Sequence, residues 1–247
     1  MTLIEPFLPS PGLAAWLLPA SAVYAGLAAA LAGYLRSVRD VRTPYTRKIF
    51  HFLIFTAAGL LQIVHGLPAV VVFGSVTSLI VLYAVWRGDG FAFYEAMARP
   101  SDAPRRTLFI LIPLVTTALG GVTANLLFPA WAFVGYLVCG WGDAVGEPAG
   151  TRWGRHRYSV PSMLGVRSTR SLEGSLAVFV AGTAATAAAL VLLGFAAPEI
   201  ALIALGAGAA GTLVEAVSTH GLDNFTVQVA ASAAAAFLAR LALPLLS

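Results

Sequence analysis

The chain has 247 residues, of which 59% are hydrophobic and only 11% charged, with a mean hydropathy of +0.84. So few charges cannot cover a water-facing surface, which excludes an ordinary soluble globule and a disordered chain, and the lone Cys139 excludes a disulfide scaffold. The net charge of +4 gives no reason to expect a nucleic-acid partner, because the basic residues are confined to particular loops.

About 20 apolar residues cross a bilayer as a helix. The composition therefore predicts an all-α, polytopic integral membrane protein with about eight spans (seven to nine fit the pattern), forming a single transmembrane domain over residues 1–247. A barrel is disfavoured, since the apolar runs are long and show no period-2 alternation.

The first span is expected over Leu13–Leu35. No Lys or Arg precedes Arg36, so it lacks the basic start of a signal peptide and reads as a retained helix. The loop that follows carries Arg36, Arg39, Arg42, Arg47 and Lys48. At the entrance of the second span, Ile49–Val64, His51 lies four residues after Arg47 and three after Lys48, so one helix face carries these cations. That face reads equally as a phosphate-facing cation cluster or as a topology signal beside a satisfied histidine.

The third span is Pro68–Trp86. The loop after it holds Arg87, Arg99, Arg105 and Arg106, and within it Gly90–Arg99 reads as a plain connection or as an interfacial helix turning Phe91, Phe93 and Tyr94 to lipid. Spans four and five are expected over Thr107–Phe128 and Ala130–Gly146.

The fifth span runs into the densest polar segment, Gly142 through Arg155. Asp143 and Glu147 are four apart, as are Gly142, Gly146, Gly150 and Gly154, a spacing that lets another backbone or a ligand come close. Pro148 lacks an N–H and would clash with the Ala144 carbonyl, predicting a broken helix. Two carboxylates at such a break suit Mg²⁺, which takes one or two carboxylates plus substrate phosphates, and Arg152 and Arg155 suit phosphate oxygens. The competing reading is a glycine packing face that ends in a solvated loop.

Arg167 and Arg170 complete the fifth loop. Ser171, Glu173 and Gly174 then start a helix whose N-terminus either docks a phosphate beside Arg170 or is simply capped by Ser171. Span six is Leu172–Gly194 and span seven Glu199–Val217. Glu215 lies inside the latter, and the turn beyond it offers Asp223 and Asn224 as hard oxygen ligands, with His220 a weak candidate. Thr226–Leu246 is the last span, where Arg240 can snorkel.

Fourteen of the fifteen Lys and Arg residues fall in loops one, three and five. The positive-inside rule makes those loops cytoplasmic, and parity adds the seventh, Ser218–Phe225. The motifs at residues 36–51, 142–175 and 215–226 then converge on the cytoplasmic face, against a transporter, whose site would lie near the midplane. The sequence shows no zinc spacing, P-loop or nucleophile elbow.

In their order, Arg47-Lys48-x-x-His51, Gly142-Asp143 through Gly150-x-x-x-Gly154-Arg155, Arg170-Ser171-x-Glu173-Gly174-Ser175 and Glu215 with Asp223-Asn224 resemble the CTP-dependent polyprenol and lipid kinases, a group including dolichol kinase, phytol kinase and yeast-type diacylglycerol kinase and distantly similar to CDP-diacylglycerol synthase. The resemblance implies an integral membrane enzyme (of the inner or plasma membrane in a bacterium) that phosphorylates a lipid alcohol, with CTP as donor and Mg²⁺ or another divalent metal. It implies catalytic roles for Asp143, Glu173 and Asp223. The metal would be held by Asp143, Glu147, Asp223 and Asn224. Nucleotide and phosphate contacts would fall to Arg47, Lys48, His51, Gly150, Arg152, Gly154, Arg155, Arg170, Ser171 and Gly174. A cytidylyltransferase making a CDP-lipid would use the same groups. The chain departs from phytol kinases in a longer segment between Arg155 and Arg170, through Ser162–Val166.

Overall fold

A computed structural model describes residues 5–163, 166–219 and 221–242. The helices are α1 (Pro11–Ser37), α2 (Thr43–His65), α3 (Leu67–Arg87), α4 (Ala92–Met97), α5 (Leu108–Leu127), α6 (Ala132–Trp153), α7 (Leu172–Leu192), α8 (Ala197–Val217) and α9 (Asp223–Ala242). The strands β1 (Arg157–Met163) and β2 (Val166–Ser171) lie between α6 and α7. Each of the eight expected spans is a long helix, and the protein is an all-α polytopic membrane protein. Seven are long and apolar enough to cross a bilayer. The eighth, α6, is 22 residues long but carries Asp143, Glu147 and Arg152.

Local chemistry sets the helix ends. Ser10 caps α1, its hydroxyl accepting from the Leu13 N–H at 3.2 Å with Pro11 at the first position. Gly66, at φ +70°, lets α2 stop and α3 begin at Leu67 with Pro68 in its first turn. Glu199 closes the start of α8 by accepting from the Ala196 N–H at 2.8 Å.

Two expectations are corrected. The helix does not break at Pro148; α6 runs on to Trp153. Proline removes one backbone bond, but α6 is packed against α7 on both sides of it, through Gly146 and Gly150. The Gly90–Arg99 segment does contain a helix, α4, yet Phe93 and Tyr94 are buried rather than lipid-facing. They join a core with Ala28, Ala32, Phe50, Val81 and Ala84, where the Phe93 and Phe50 ring centres lie 4.8 Å apart and the Tyr94 hydroxyl finds a hydrogen-bond partner in Thr107 Oγ1 at 2.9 Å.

The chain forms two compact units, Met1–Leu114 and Val115–Ser247. In the first, α1 packs on α2, α3 and α4. The Thr43 and Thr46 hydroxyls donate to the Glu95 and Ala96 carbonyls, and Arg106 bonds Asp89 at 2.7 Å and Glu95 at 2.6 Å. In the second unit α6, α7, α8 and α9 each pack on the next, and α6 also on α9. Short connections make α7, α8 and α9 successively antiparallel, and α6 runs antiparallel to α7, since Gly142 meets Val178 where Gly150 meets Gly174. One end of this bundle therefore gathers the C-termini of α6 and α8 and the N-termini of α7 and α9.

The β1–β2 hairpin was not foreseen. It pairs Arg157 with Ser171, Tyr158 with Arg170 and Ser159 with Thr169, and it accommodates the longer segment between Arg155 and Arg170. The tip residues Leu164 and Gly165, with the side chains of residues 162–168, Arg167 among them, lie outside the described residues, as does His220.

Candidate functional site

The gathered end of the second unit is built on a contact between backbones. A Cβ on Gly142 or Gly146 would run into the Val178 side chain of α7. One on Gly150 would lie 3.0 Å from Ser171 Oγ, and one on Gly154 2.7 Å from the same atom. One on Gly174 would lie 3.0 Å from the Gly146 carbonyl oxygen and 3.3 Å from Gly150 Cα. Of the two readings of the four-residue glycine row, the structure gives helix packing: the space over Gly150, Gly154 and Gly174 is filled by Ser171 and by backbone. Ser171 is the cap of α7, accepting from the Gly174 N–H at 3.1 Å.

Asp143 and Glu147 are half-buried on α6. Asp143 lies one turn beyond Cys139, whose Sγ donates to Asn224 Oδ1 at 3.9 Å, so the face carrying both carboxylates continues the side of α6 that meets the start of α9. Asn224 Nδ2 donates to Thr117 Oγ1 at 2.8 Å, and Thr116 Oγ1 to the Gly221 carbonyl at 2.5 Å. Among the described residues no group of three or more His, Cys, Asp or Glu side chains is arranged to hold a metal ion.

A charge cluster centres on Arg170, at the end of β2. Its Nη1 pairs with Glu215, and its Nη2 lies 3.1 Å from Asp223 Oδ2 and donates to the Ser218 carbonyl at 3.3 Å. Asp223 Oδ1 accepts from the Gly221 and Asn224 N–H groups, both at 3.0 Å. The structure thus joins Arg170 and Asp223, which the sequence assigned separately to phosphate and to metal.

Glu173, in the first turn of α7, is gripped from the other side. Its Oε1 lies 2.8 Å from His156 Nδ1, and the His156 N–H donates to both carboxylate oxygens, at 3.3 and 3.4 Å. Tyr158 and Ser175 share a hydroxyl bond of 2.8 Å, fastening β1 to α7. Arg152 and Arg155 are exposed, the Arg152 guanidinium lying 5.4 Å from the centre of the Trp153 ring.

Arg47, Lys48 and His51 belong to the first unit. Arg47 and Lys48 are buried in the first turns of α2, and His51 stacks on Phe55 with ring centres 4.1 Å apart. Sequence reasoning missed His156, Thr117, Cys139, Ser218 and Gln228. Only Gln228 left a signal: Asn224, Gln228 and Ser232 recur every fourth residue and form a buried polar stripe on α9. The Gln228 Nε2 donates to the Asn224 and Thr117 carbonyls.

No family model and no solved structure matches the chain. Over 106 residues it is 36% identical to the phytol kinase of Synechocystis sp., a match that covers 42% of this chain and 42% of that relative's length.

Proposed function

We propose that this protein is a membrane kinase that transfers the terminal phosphoryl group of CTP to a lipid alcohol, a prenol such as phytol or dolichol or else diacylglycerol, at the cytoplasmic face. The observation that carries this reading is the 36% identity to a phytol kinase. The placement of Asp143 and Glu147 on the C-terminal half of α6, of Arg170 on β2, and of Glu173 and Asp223 in the first turns of α7 and α9 supports it, because phosphoryl transfer needs chiefly positioning and neutralisation of phosphate charge. The cytoplasmic assignment rests on the distribution of Lys and Arg, and CTP is confined to that side.

The donor set suits Mg²⁺ shared with phosphate oxygens, since Asp143 and Glu147 supply two carboxylates one turn apart and no all-protein cage exists among the described residues. Bound there, the metal would neutralise the phosphates. Asp223 and Asn224 supply further oxygens at the start of α9. Arg152, exposed in the last turn of α6, and Arg155, exposed just beyond it, receive the distal phosphates together with Arg170. The alcohol oxygen attacks the terminal phosphorus, the bond from that phosphorus to the bridging oxygen breaks, and CDP leaves. Glu173 or Asp223 takes the hydroxyl proton, Glu173 being held in place by His156.

The test is incubation of purified protein and Mg²⁺ with CTP, ATP, GTP or UTP and a panel of prenols and diacylglycerol, with products identified by mass. CDP with a lipid phosphate is the expected outcome. Pyrophosphate with a CDP-lipid would make the protein a cytidylyltransferase, and no product with any pair would overturn the reading.

A further inference from the structure

Arg170 holds two carboxylates where one would balance its charge. Glu215 and Asp223 are both shielded from solvent, at 15% and 12% side-chain exposure, and Arg170 itself is at 12%. Glu215 is the odd member. It sits in the last turn of α8, where the aligned backbone carbonyls disfavour an anion, and it is the only charged residue of that helix beyond its first turn. Asp223, by contrast, opens α9, where backbone N–H groups favour it, and its Oδ1 holds two of them. A fold that needed only a closed α8–α9 turn could balance the Arg170 charge with Asp223 alone.

We infer that Glu215 is a positioning residue that keeps the Arg170 guanidinium in place while Asp223 leaves it. This rests on the kinase reading. The two carboxylates grip different nitrogens, Glu215 at Nη1 and Asp223 at Nη2. When a metal–nucleotide arrives, Asp223 turns to the cation and a phosphate oxygen takes over Nη2. Arg170 then exchanges one anion for another and is never left buried without a counter-charge, because Glu215 stays at Nη1. Glu215 itself touches neither phosphate nor acceptor. Arginine suits this task where lysine would not, since its planar fork presents two faces to two partners at once.

The experiment uses the full chain in lipid nanodiscs as wild type, Glu215→Gln and Glu215→Asp. It measures the equilibrium Kd for CTP with Mg²⁺, the unfolding midpoint, and KM and kcat for prenol phosphorylation. Glu215→Gln should raise the nucleotide Kd and KM about tenfold, the loss of roughly one charge-assisted hydrogen bond, while the KM for prenol stays at the wild-type value. Glu215→Asp should recover part of the affinity. A wild-type Kd in Glu215→Gln, with a lowered midpoint, overturns the inference and makes Glu215 a structural ion-pair partner. Should Glu215→Gln not fold, Glu215→Asp decides alone: a raised Kd with an unchanged midpoint supports the inference, and a wild-type Kd overturns it. Wild-type protein that binds the nucleotide but phosphorylates no alcohol overturns the kinase reading and leaves the Kd comparison intact; wild-type protein that binds no nucleotide overturns both.

Discussion

Gly174→Ala adds one methyl group where the structure has no room for it. The new Cβ would stand 3.0 Å from the Gly146 carbonyl oxygen, 3.2 Å from Ser171 Oγ and 3.3 Å from Gly150 Cα. Two of these atoms are backbone and cannot rotate aside, so α6 and α7 must separate. Two effects compete. Alanine is the better helix former by about 1 kcal/mol, whereas forcing a methyl into a close-packed contact costs about 1–3 kcal/mol. With backbone on the far side the upper half of that range applies, leaving a net loss of about 1–2 kcal/mol. Reversible unfolding of the purified chain in mixed micelles measures this directly. Gly26→Ala is the comparison, since no atom lies within 4 Å of its added Cβ, and it should be neutral or stabilising by up to about 1 kcal/mol. The substitution also displaces Ser171 and Glu173, so turnover should fall with stability. A Gly174→Ala protein as stable as Gly26→Ala would refute the backbone contact between α6 and α7.

Asp143→Asn keeps size and removes charge, so it should fold normally while Mg²⁺-dependent turnover drops by about 10²–10³, and Glu5→Gln should change nothing; equal effects in steady-state assays would make Asp143 structural. Cysteines placed at Arg42, Arg157 and Thr219 should react with an impermeant thiol reagent only from the cytoplasmic side, and those at Leu67 and Pro198 only from outside; Thr219 labelled from outside would separate Asp223 from its proposed partners. In the first unit, burial alone would raise the Glu95 carboxyl, but hydrogen bonds from Arg106 and the Gly90 N–H outweigh it and hold the group below its ordinary value. The stability it adds is therefore present above the unfolded pKa of about 4.3 and is lost as pH falls through the lower folded value. The unfolding midpoints of wild type and Glu95→Gln should accordingly converge on acidification, and a constant gap would refute the pairing.

Much of the fold is legible because lipid leaves the chain little choice: a backbone in hydrocarbon must be helical, so apolar runs predict spans. Even α6 is readable by length, though Asp143, Glu147 and Arg152 lower its hydropathy. The hairpin is not legible. β1 contains Pro161, only seven residues long it shows no clean alternation, and its pairing with β2 is decided by where α7 begins. The orientation of Phe93 and Tyr94 is hidden for a similar reason, since six residues of helix can turn either way until neighbours are present. At the candidate site the sequence supplies the inventory and the spacing of the glycines. It does not supply partners: that Arg170 meets Glu215 and Asp223, or that Glu173 meets His156, depends on segments 17 to 53 positions apart.

The glycine row has a mechanical consequence. Side chains yield by swinging to new rotamers, but where Gly146 and Gly150 meet Gly174 there is almost nothing to swing. That side of the bundle end is a stiff wall. Across from it, the turn between α8 and α9 is held by the long, jointed side chain of Arg170 and by a few hydrogen bonds around Ser218 and Gly221. Compliance is therefore lopsided. If the proposed substrate enters at this end, the α8–α9 turn is the part that would give way, while Asp143 and Glu147 would ride on the part that stays still.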